Sequence, residues 1–584
     1  MMKFLHVLIF LPLATFAQSY QPKDIDFENL DLAAPMEIPL ILSGNFGEMR
    51  GNHFHTGLDI KTKGTTGHKI FAIEEGYISR VRISPWGYGK AIYVDHPNGL
   101  TSLYAHLSKF PDAIDSLVYA QQKRLESHTI DEMVLSDSIH LSKGQLIAYS
   151  GNSGSSFAPH LHFEIRETAT EHALNPLLFA CYRKRIADSR PPTLSGVKFY
   201  AITDKGYLVP GRTTYYSCQL KGGEWVINNN QPIDLSTIVT EGSQLGIGFH
   251  TTDKLDAANN VCGVHHTTLF KDDTKKHEQK IDYINFDHNR FLNSHQDYWD
   301  FKQEKKNIHK HFSTVINPLE VYPLNDGKIN WDEAAGKYKF IAKDVHGNEV
   351  TLWFALSTTS KTAKPNPLFG NSRYFYPDSV NTFLKDDFQL LIEPGSFYEP
   401  LQVIYRVDSS QKYLSSQYQF GEYSVPVQQK FDVRIKVPSN LPEDFPLYKA
   451  GIGLISDRGY LSFKGGDYID GWIESSIRGF GTYTLVVDTI APVINPLDFN
   501  EGKTITKYST LEMEIHDNLS GVWTFKSYLN DQWVLTIYDR RKKRYIIPLD
   551  KRSKPLLKKG NNTVKIFAED GKGNKKEVSY TLVY

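Results

Sequence analysis

The chain has 584 residues, 40% of them hydrophobic, and its 66 Lys and Arg are matched by 66 Asp and Glu. This length exceeds a single hydrophobic core and predicts about four domains of roughly 150 residues each. The balanced charge excludes a global field that would favour nucleic acid or an anionic membrane, so no nucleic-acid partner is expected.

The first twenty residues, "MMKFLHVLIFLPLATFAQSY", place one lysine before an apolar run from Phe4 to about Ala14, with small residues at Thr15 and Ala17. This is the layout of a secretory signal peptide over 1–17, too short in its apolar run to span a bilayer comfortably. It predicts export to the periplasm or to the extracellular side of the cell envelope. No transmembrane anchor is expected after cleavage, because no later stretch is long and apolar enough. Cys181, Cys218 and Cys262 show no CxxC or zinc-finger spacing. They read as small buried hydrophobes and not as a disulfide framework.

From 36 to 185, short alternating apolar runs are broken by glycine, as in "HKIFAIEEGYISRVRIS" and "KAIYVDHPNGLTSLYAHL". With the Asn-Gly hairpin signal, they predict one antiparallel β domain. An insert over about 110–140 departs from this pattern and has apolar positions at helical spacing. Boundaries at "ADSRPPTLSGV", "STTSKTAKPNP" and "DTIAPVINP" divide the rest into 188–356, 368–487 and 488–584. The first and last of these segments look like diverged copies of one module. "DSRPP" matches "DTIAP", "LGIGFH" matches "LEMEIH", and "FIAKDVHGNEV" matches "IFAEDGKGNKKEV". A polar stretch around 270–315 enlarges the first copy. Each copy ends in strand, Asp-x-x-Gly-Asn turn and strand, which predicts an Ig-like β-sandwich, and the middle segment predicts another sandwich. Asp344 and Asp570 read as turn residues more readily than as calcium ligands. The expected fold class is therefore mainly β: an antiparallel N-terminal domain followed by tandem β-sandwiches.

The chemistry concentrates in the first domain. In "APHLHFEIR", strand alternation puts Leu161, Phe163 and Ile165 on one face and His160, His162, Glu164 and Arg166 on the other. In "GNHFHTGLDIKTKG", a strand with a turn near Gly57 puts His55 and Asp59 opposite Leu58 and Ile60. Imidazole and carboxylate suit zinc, and a catalytic zinc site takes three protein ligands and leaves one position for water. His162 can supply the third. In "TSLYAHLSKF", the same alternation predicts that Tyr104 and His106 share a face away from Leu103, Ala105 and Leu107.

From about Leu42 to Phe179, through "GNFGEMRGNHFHTGLDI", "GYGKAIYVDHPNGLTSLYAHLS", "KGQLIAYSGNSG" and "APHLHFEIR", the chain resembles the lysostaphin/LytM-type zinc endopeptidases that cut peptide cross-links in bacterial peptidoglycan. The resemblance implies a duplicated-hybrid-motif fold, one zinc ion on His55, Asp59 and His162, and a catalytic pair in His106 and His160. It also implies peptidoglycan peptides as substrate. Such a ligand set carries a net charge of only minus one, so the zinc stays a strong Lewis acid. Either histidine of the pair can accept the water proton while the other stabilises the oxyanion. Tyr104 is a candidate substrate contact. Glu164 is a candidate acceptor that orients His162, with an ion pair to Arg166 as the plainer role. His53, Asn45 and Arg50 flank the site without an assigned direct role, and the 110–140 insert is expected to shape or cover the substrate path. Two other functions fit the same organisation: a non-catalytic LytM-like regulator of another cell-wall hydrolase, and an envelope-binding or adhesion protein acting through its tail. The tail is also a candidate docking surface for an envelope protein. Known regulators of that kind have lost ligand residues, whereas this chain retains them.

Overall fold

The computed structural model describes residues 25–135, 139–239, 242–324, 327–358, 373–409, 412–506 and 509–584. The signal segment over 1–17 lies outside the described residues. The architecture is mainly β, with an N-terminal domain followed by further β-sheet domains. Among the described residues, no helix is long and apolar enough to cross a membrane. All three cysteines are free thiols.

In the N-terminal sheet, strands Leu42–Gly44, Leu58–Lys61, His160–Glu167, Leu100–Ala105, Lys90–Asp95, Gly76–Ile83 and Ile130–Val134 lie side by side in that order, all antiparallel. The His160–Glu167 strand pairs on one edge with Leu58–Lys61, His162 facing Asp59, and on the other with Leu100–Ala105, His162 facing Ala105. Directly opposed residues project to the same side of a sheet. This register therefore puts His162 and Asp59 on one face and Leu58, Ile60, Leu161, Phe163 and Ile165 on the other, where all five are fully buried in one core. Burying each such side chain stabilises the fold by about 1.5–3 kcal/mol.

The insert is half helix and half strand. Helix Asp112–Leu125 carries Asp112 and Asp115 in its first turn and Lys123 and Arg124 in its last, the arrangement its dipole favours. It stops at Glu126, which adopts a left-handed conformation, and strand Ile130–Val134 then adds to the edge of Gly76–Ile83. The helix meets the C-terminal domain. Glu126 accepts from Lys526 at 2.7 Å and from Tyr528 at 3.0 Å, Asp112 pairs with Lys551 at 2.7 Å, and the Tyr119 ring lies 6.2 Å from that of Trp533.

Among the described residues, the tail has three further large cores and a small one of Tyr200, Ile202 and Phe312. Around 194–356, two sheets are joined by the long strand Leu208–Lys221, which pairs with Thr193–Thr203 first and with Glu224–Ile227 at its end. The middle segment packs two five-stranded sheets on a core that includes Phe388, Phe420 and Phe431. The last packs two four-stranded sheets around Met513, Ile547 and Ile566. The polar stretch around 270–315 packs back onto the N-terminal domain. Ile281, Ile284 and Leu292 join that domain's core, and Tyr283–Ile284 pairs with Ala173–Leu174 at its sheet.

Candidate active site

Gly57 lets the site-bearing loop close onto the central strand. A Cβ there would stand 2.4 Å from the Phe163 carbonyl oxygen, so no larger residue fits without displacing the backbone. The chain from His55 to Asp59 therefore runs directly against His162. Three atoms converge: His55 Nε2 is 3.0 Å from Asp59 Oδ1, His162 Nδ1 is 2.9 Å from the same oxygen, and the two nitrogens are 3.0 Å apart.

Outer hydrogen bonds fix which nitrogen of each ring faces inward. His55 donates Nδ1–H to the Asn45 carbonyl at 2.7 Å, which leaves a lone pair at Nε2. His162 donates Nε2–H to Glu164 Oε1 at 2.8 Å, which leaves a lone pair at Nδ1. Two lone pairs and a carboxylate oxygen pointed at one another repel unless a cation or a proton lies among them. Their separations approach the ~3.3 Å edge of a tetrahedral site with ~2.0 Å bonds. The donor set therefore fits a metal ion, and outer bonds of this kind orient ligands in such sites.

The electrostatics agree. Burial opposes the charge on Asp59, but the imidazoles of His55, His160 and His162 outweigh it and hold the carboxyl well below its ordinary range. Arg50 donates to the other oxygen, Oδ2, at 2.7 Å. In the absence of an ion, burial works to lower the His162 pKa, but hydrogen bonds to Asp59 and Glu164 and their charges prevail and raise it to about 9. Metal uptake at neutral pH must then expel that proton.

Glu164 makes both of the contacts expected of it. It accepts from His162, and it pairs with Arg166 at 2.7 Å. The hydroxyls of Thr56 and Tyr88 each donate to the same Glu164 oxygen at 2.6 Å. Substituting Glu164→Gln is expected to weaken metal affinity by about 10–100-fold while the ion still binds at saturation. Competition against a calibrated chelator measures this.

His106 reaches the site by a route that alternation does not give. Its strand ends at Ala105, and His106 takes φ 58°, a left-handed conformation uncommon outside glycine. The turn swings the ring away from the core face, so that it lies 4.7 Å from the His160 ring and 5.9 Å from the His162 ring. The shared face predicted for Tyr104 and His106 is therefore corrected. Tyr104 stays on the core face opposite Phe163, is 0% exposed, and accepts hydrogen bonds from the Ile73 N–H and the Ser102 hydroxyl at 3.0 Å each. It is a core residue and not a substrate contact. Leu103 and Ala105, on the other face, form a small buried cluster with Ala91 and Tyr93, while Leu107 joins the main core. Tyr104→Phe is expected to cost about 1–3 kcal/mol of stability through the unpaired Ile73 N–H and to leave turnover by the folded protein unchanged. Chemical denaturation and a rate assay on the same sample check both.

Sequence reasoning missed Tyr88 and gave Arg50 no role. The signal for Tyr88 was its place between Gly87 and Gly89, both at positive φ, in the loop that packs on Ser153 and Ser155. It also missed two clamps from the tail. Asn45 exchanges two 2.8 Å hydrogen bonds with the backbone of Gly263, and Asn289 accepts from the Phe54 N–H at 2.6 Å and donates to its carbonyl at 3.1 Å. The loop bearing His55 is thus held from the tail. Arg540 of the C-terminal domain stacks on Trp86, 4.6 Å from the ring centre. His53 lies at the surface and contacts Asn52.

These features give the first domain a site that could hold a metal ion, and comparison with known proteins finds peptidase similarity in the same region. Residues 53–123 match the model of Peptidase family M23, a span that includes His55, Asp59 and His106, while residues 372–488 match the model of the Zu5-like domain. The resemblance to LytM and lysostaphin peptidases drawn from the motifs stands. A DD-carboxypeptidase/endopeptidase Mpg of Neisseria meningitidis serogroup B is 30% identical over 112 residues, 19% of this chain and 20% of that protein. An uncharacterized metalloprotease of Haemophilus influenzae is 31% identical over 123 residues, 21% of this chain and 20% of that protein. The match thus spans about a fifth of the length of these relatives. The solved catalytic domain of lysostaphin from Staphylococcus simulans aligns at 26% identity over 23% of this chain and 87% of that one, with a TM-score of 0.17.

Proposed function

We propose that this protein is an exported, zinc-dependent endopeptidase that hydrolyses stem or cross-link peptides of bacterial peptidoglycan. The observation that carries it is the convergence of His55 Nε2, Asp59 Oδ1 and His162 Nδ1 beside two further imidazoles. The M23 match and the names of the relatives support peptide-bond hydrolysis, and the layout of residues 1–17 supports export.

A zinc ion on these three ligands would supply a Lewis acid and a water whose pKa falls towards about 7. The chain's own residues handle the protons. His106 donates Nδ1–H to the Ser153 carbonyl at 2.9 Å and so presents a lone pair at Nε2. In the absence of an ion, burial, then the charges of His162 and His160, push its pKa down to about 3, so the ring stands neutral. Its lone pair is placed to take a proton from the attacking water and pass it to the leaving amine. His160 has Nδ1 2.8 Å from the Ala158 carbonyl and Nε2 3.4 Å from Asp59 Oδ1. With Nδ1 turned to the backbone, Nε2 is the nitrogen that faces the metal ligands, where a proton on it would be placed for donation to the developing oxyanion. A non-catalytic regulator has no need of the complete set of five.

Digestion of defined muropeptides with product identification by mass tests this function. Products split at one class of peptide bond are expected and would name the bond. Intact muropeptides of every cross-link type would overturn it.

A further inference from the structure

The two copies of the repeated module carry a feature that the peptidase site does not use. In the first, ligand atoms of Asp188, Asp344 and His346 lie within 4.8 Å of one another, and in the second those of Asp488, Asp517 and Asp570 do. The matched segments align Asp188 with Asp488 and Asp344 with Asp570. The same asparagine supports each. Asn348 donates to Asp344 through its N–H at 2.9 Å and its side chain at 2.7 Å, and to the Asp188 carbonyl at 3.1 Å. Asn574 donates to Asp570 at 2.9 and 2.7 Å and to the Asp488 carbonyl at 3.0 Å. Turn chemistry accounts for Asp344 and Asp570.

It accounts for the others in part: Asp488 accepts from the Ile490 and Ser520 N–H groups, Asp188 Oδ1 from the Arg190 N–H, and Asp517 Oδ2 from the Leu519 and Gly521 N–H groups, while one oxygen each of Asp188, Asp253 and Asp517 is left over. Asp253 follows "LGIGFH" much as Asp517 follows "LEMEIH". It is 2% exposed and lies among the charges of Asp188 and Asp344, and its Oδ1 has no hydrogen-bond partner among the described residues. Asp188 Oδ2 and Asp517 Oδ1 are likewise buried and unpartnered. Carboxylates left buried without a counter-charge are strongly unfavourable, and a shared cation is the usual remedy. His346 gives its Nε2–H to the Ile186 carbonyl at 2.6 Å, which leaves a lone pair at Nδ1 as one nitrogen donor among the oxygens of the first cluster; the second presents oxygen alone.

Each cluster sits at a joint. Asp188 follows helix Ala180–Arg185, the last element of the N-terminal domain, and Asp488 follows strand Gly481–Val487, the last of the middle sandwich. We propose that Asp188, Asp253 and Asp344 bind one calcium ion, that Asp488, Asp517 and Asp570 bind a second, and that these ions stiffen the two joints. Hard oxygen donors suit calcium, which takes 6–8 oxygens and accepts water and carbonyls for the remainder.

The test uses the full chain and its Asp253→Asn and Asp517→Asn variants in buffer stripped of calcium, with calcium then added at up to millimolar concentration. Equilibrium dialysis is expected to find two calcium ions on the parent, one on each variant and none on the double variant. Thermal unfolding adds a signature that a merely structural role would not produce. Without calcium the Asp253→Asn variant should unfold at a higher temperature than the parent, because a buried carboxylate with an unpartnered oxygen has gone, and with calcium the order should reverse. Fewer than two calcium ions on the parent, unchanged stoichiometry in the variants, or an Asp253→Asn variant less stable than the parent in both conditions would overturn the two-site assignment.

Discussion

Replacing His162 with alanine is expected to abolish cleavage of peptidoglycan peptides and to strip the N-terminal domain of its metal. His162 supplies one of three converging atoms, and its ring links Asp59 to Glu164. Without it, two ligands remain, and the carboxylate of Glu164 is left to Arg166, Thr56 and Tyr88. Losing an outer partner costs about 10–100-fold in metal affinity or activity, so losing a ligand should cost more. The strand itself should persist, because Leu161, Phe163 and Ile165 hold it from the opposite face. Metal content by mass spectrometry, the cleavage rate and circular dichroism on one sample separate loss of the site from loss of the fold. A folded variant that kept the parent's rate would show that the metal site lies elsewhere.

The second large effect belongs to the pair above the metal. His106→Ala should keep the ion, because His106 touches none of the three ligand atoms, yet lower kcat by about 10²–10⁴-fold as a lost proton acceptor. KM should change little. His160→Ala should resemble it in kcat and differ in one respect: the contact between Nε2 and Asp59 Oδ1 is lost, so metal affinity falls modestly as well. Steady-state kinetics with metal titration distinguish the two. If His106→Ala lost its metal, the ring would be acting as a ligand, and the division of roles would be wrong.

Much of this site was legible because it rests on local alternation. The faces of His160 to Arg166 and of Leu58 to Ile60 follow from the two-residue period of a strand, and an antiparallel register was then enough to bring Asp59 opposite His162. The period fails where the backbone leaves the strand. His106 turns at positive φ, and nothing in "TSLYAHLSKF" signals that a histidine there adopts a conformation usually left to glycine. Tyr104 was misplaced for the same reason, since its face was inferred from that of His106. Arg50, Tyr88, Asn45 and Asn289 act through contacts distant in sequence, which no local pattern encodes. The tail shows a similar division. Turn chemistry at Asp344 and Asp570 was readable from Asp-x-x-Gly-Asn, whereas the burial of Asp253 beside Asp188 depends on how the strands close. The stretch around 270–315 reads as polar by composition, yet several of its apolar residues, among them Ile281, Ile284 and Leu292, enter the core of another domain.

The most direct test of the central assignment is activity as a function of metal content. The full chain, dialysed against a strong chelator and then freed of it, should cleave no muropeptide. Titration with zinc should restore the rate in proportion to occupancy and saturate at one ion on His55, Asp59 and His162, a restoration that His162→Ala should not show. Undiminished cleavage by the metal-free protein would contradict the account.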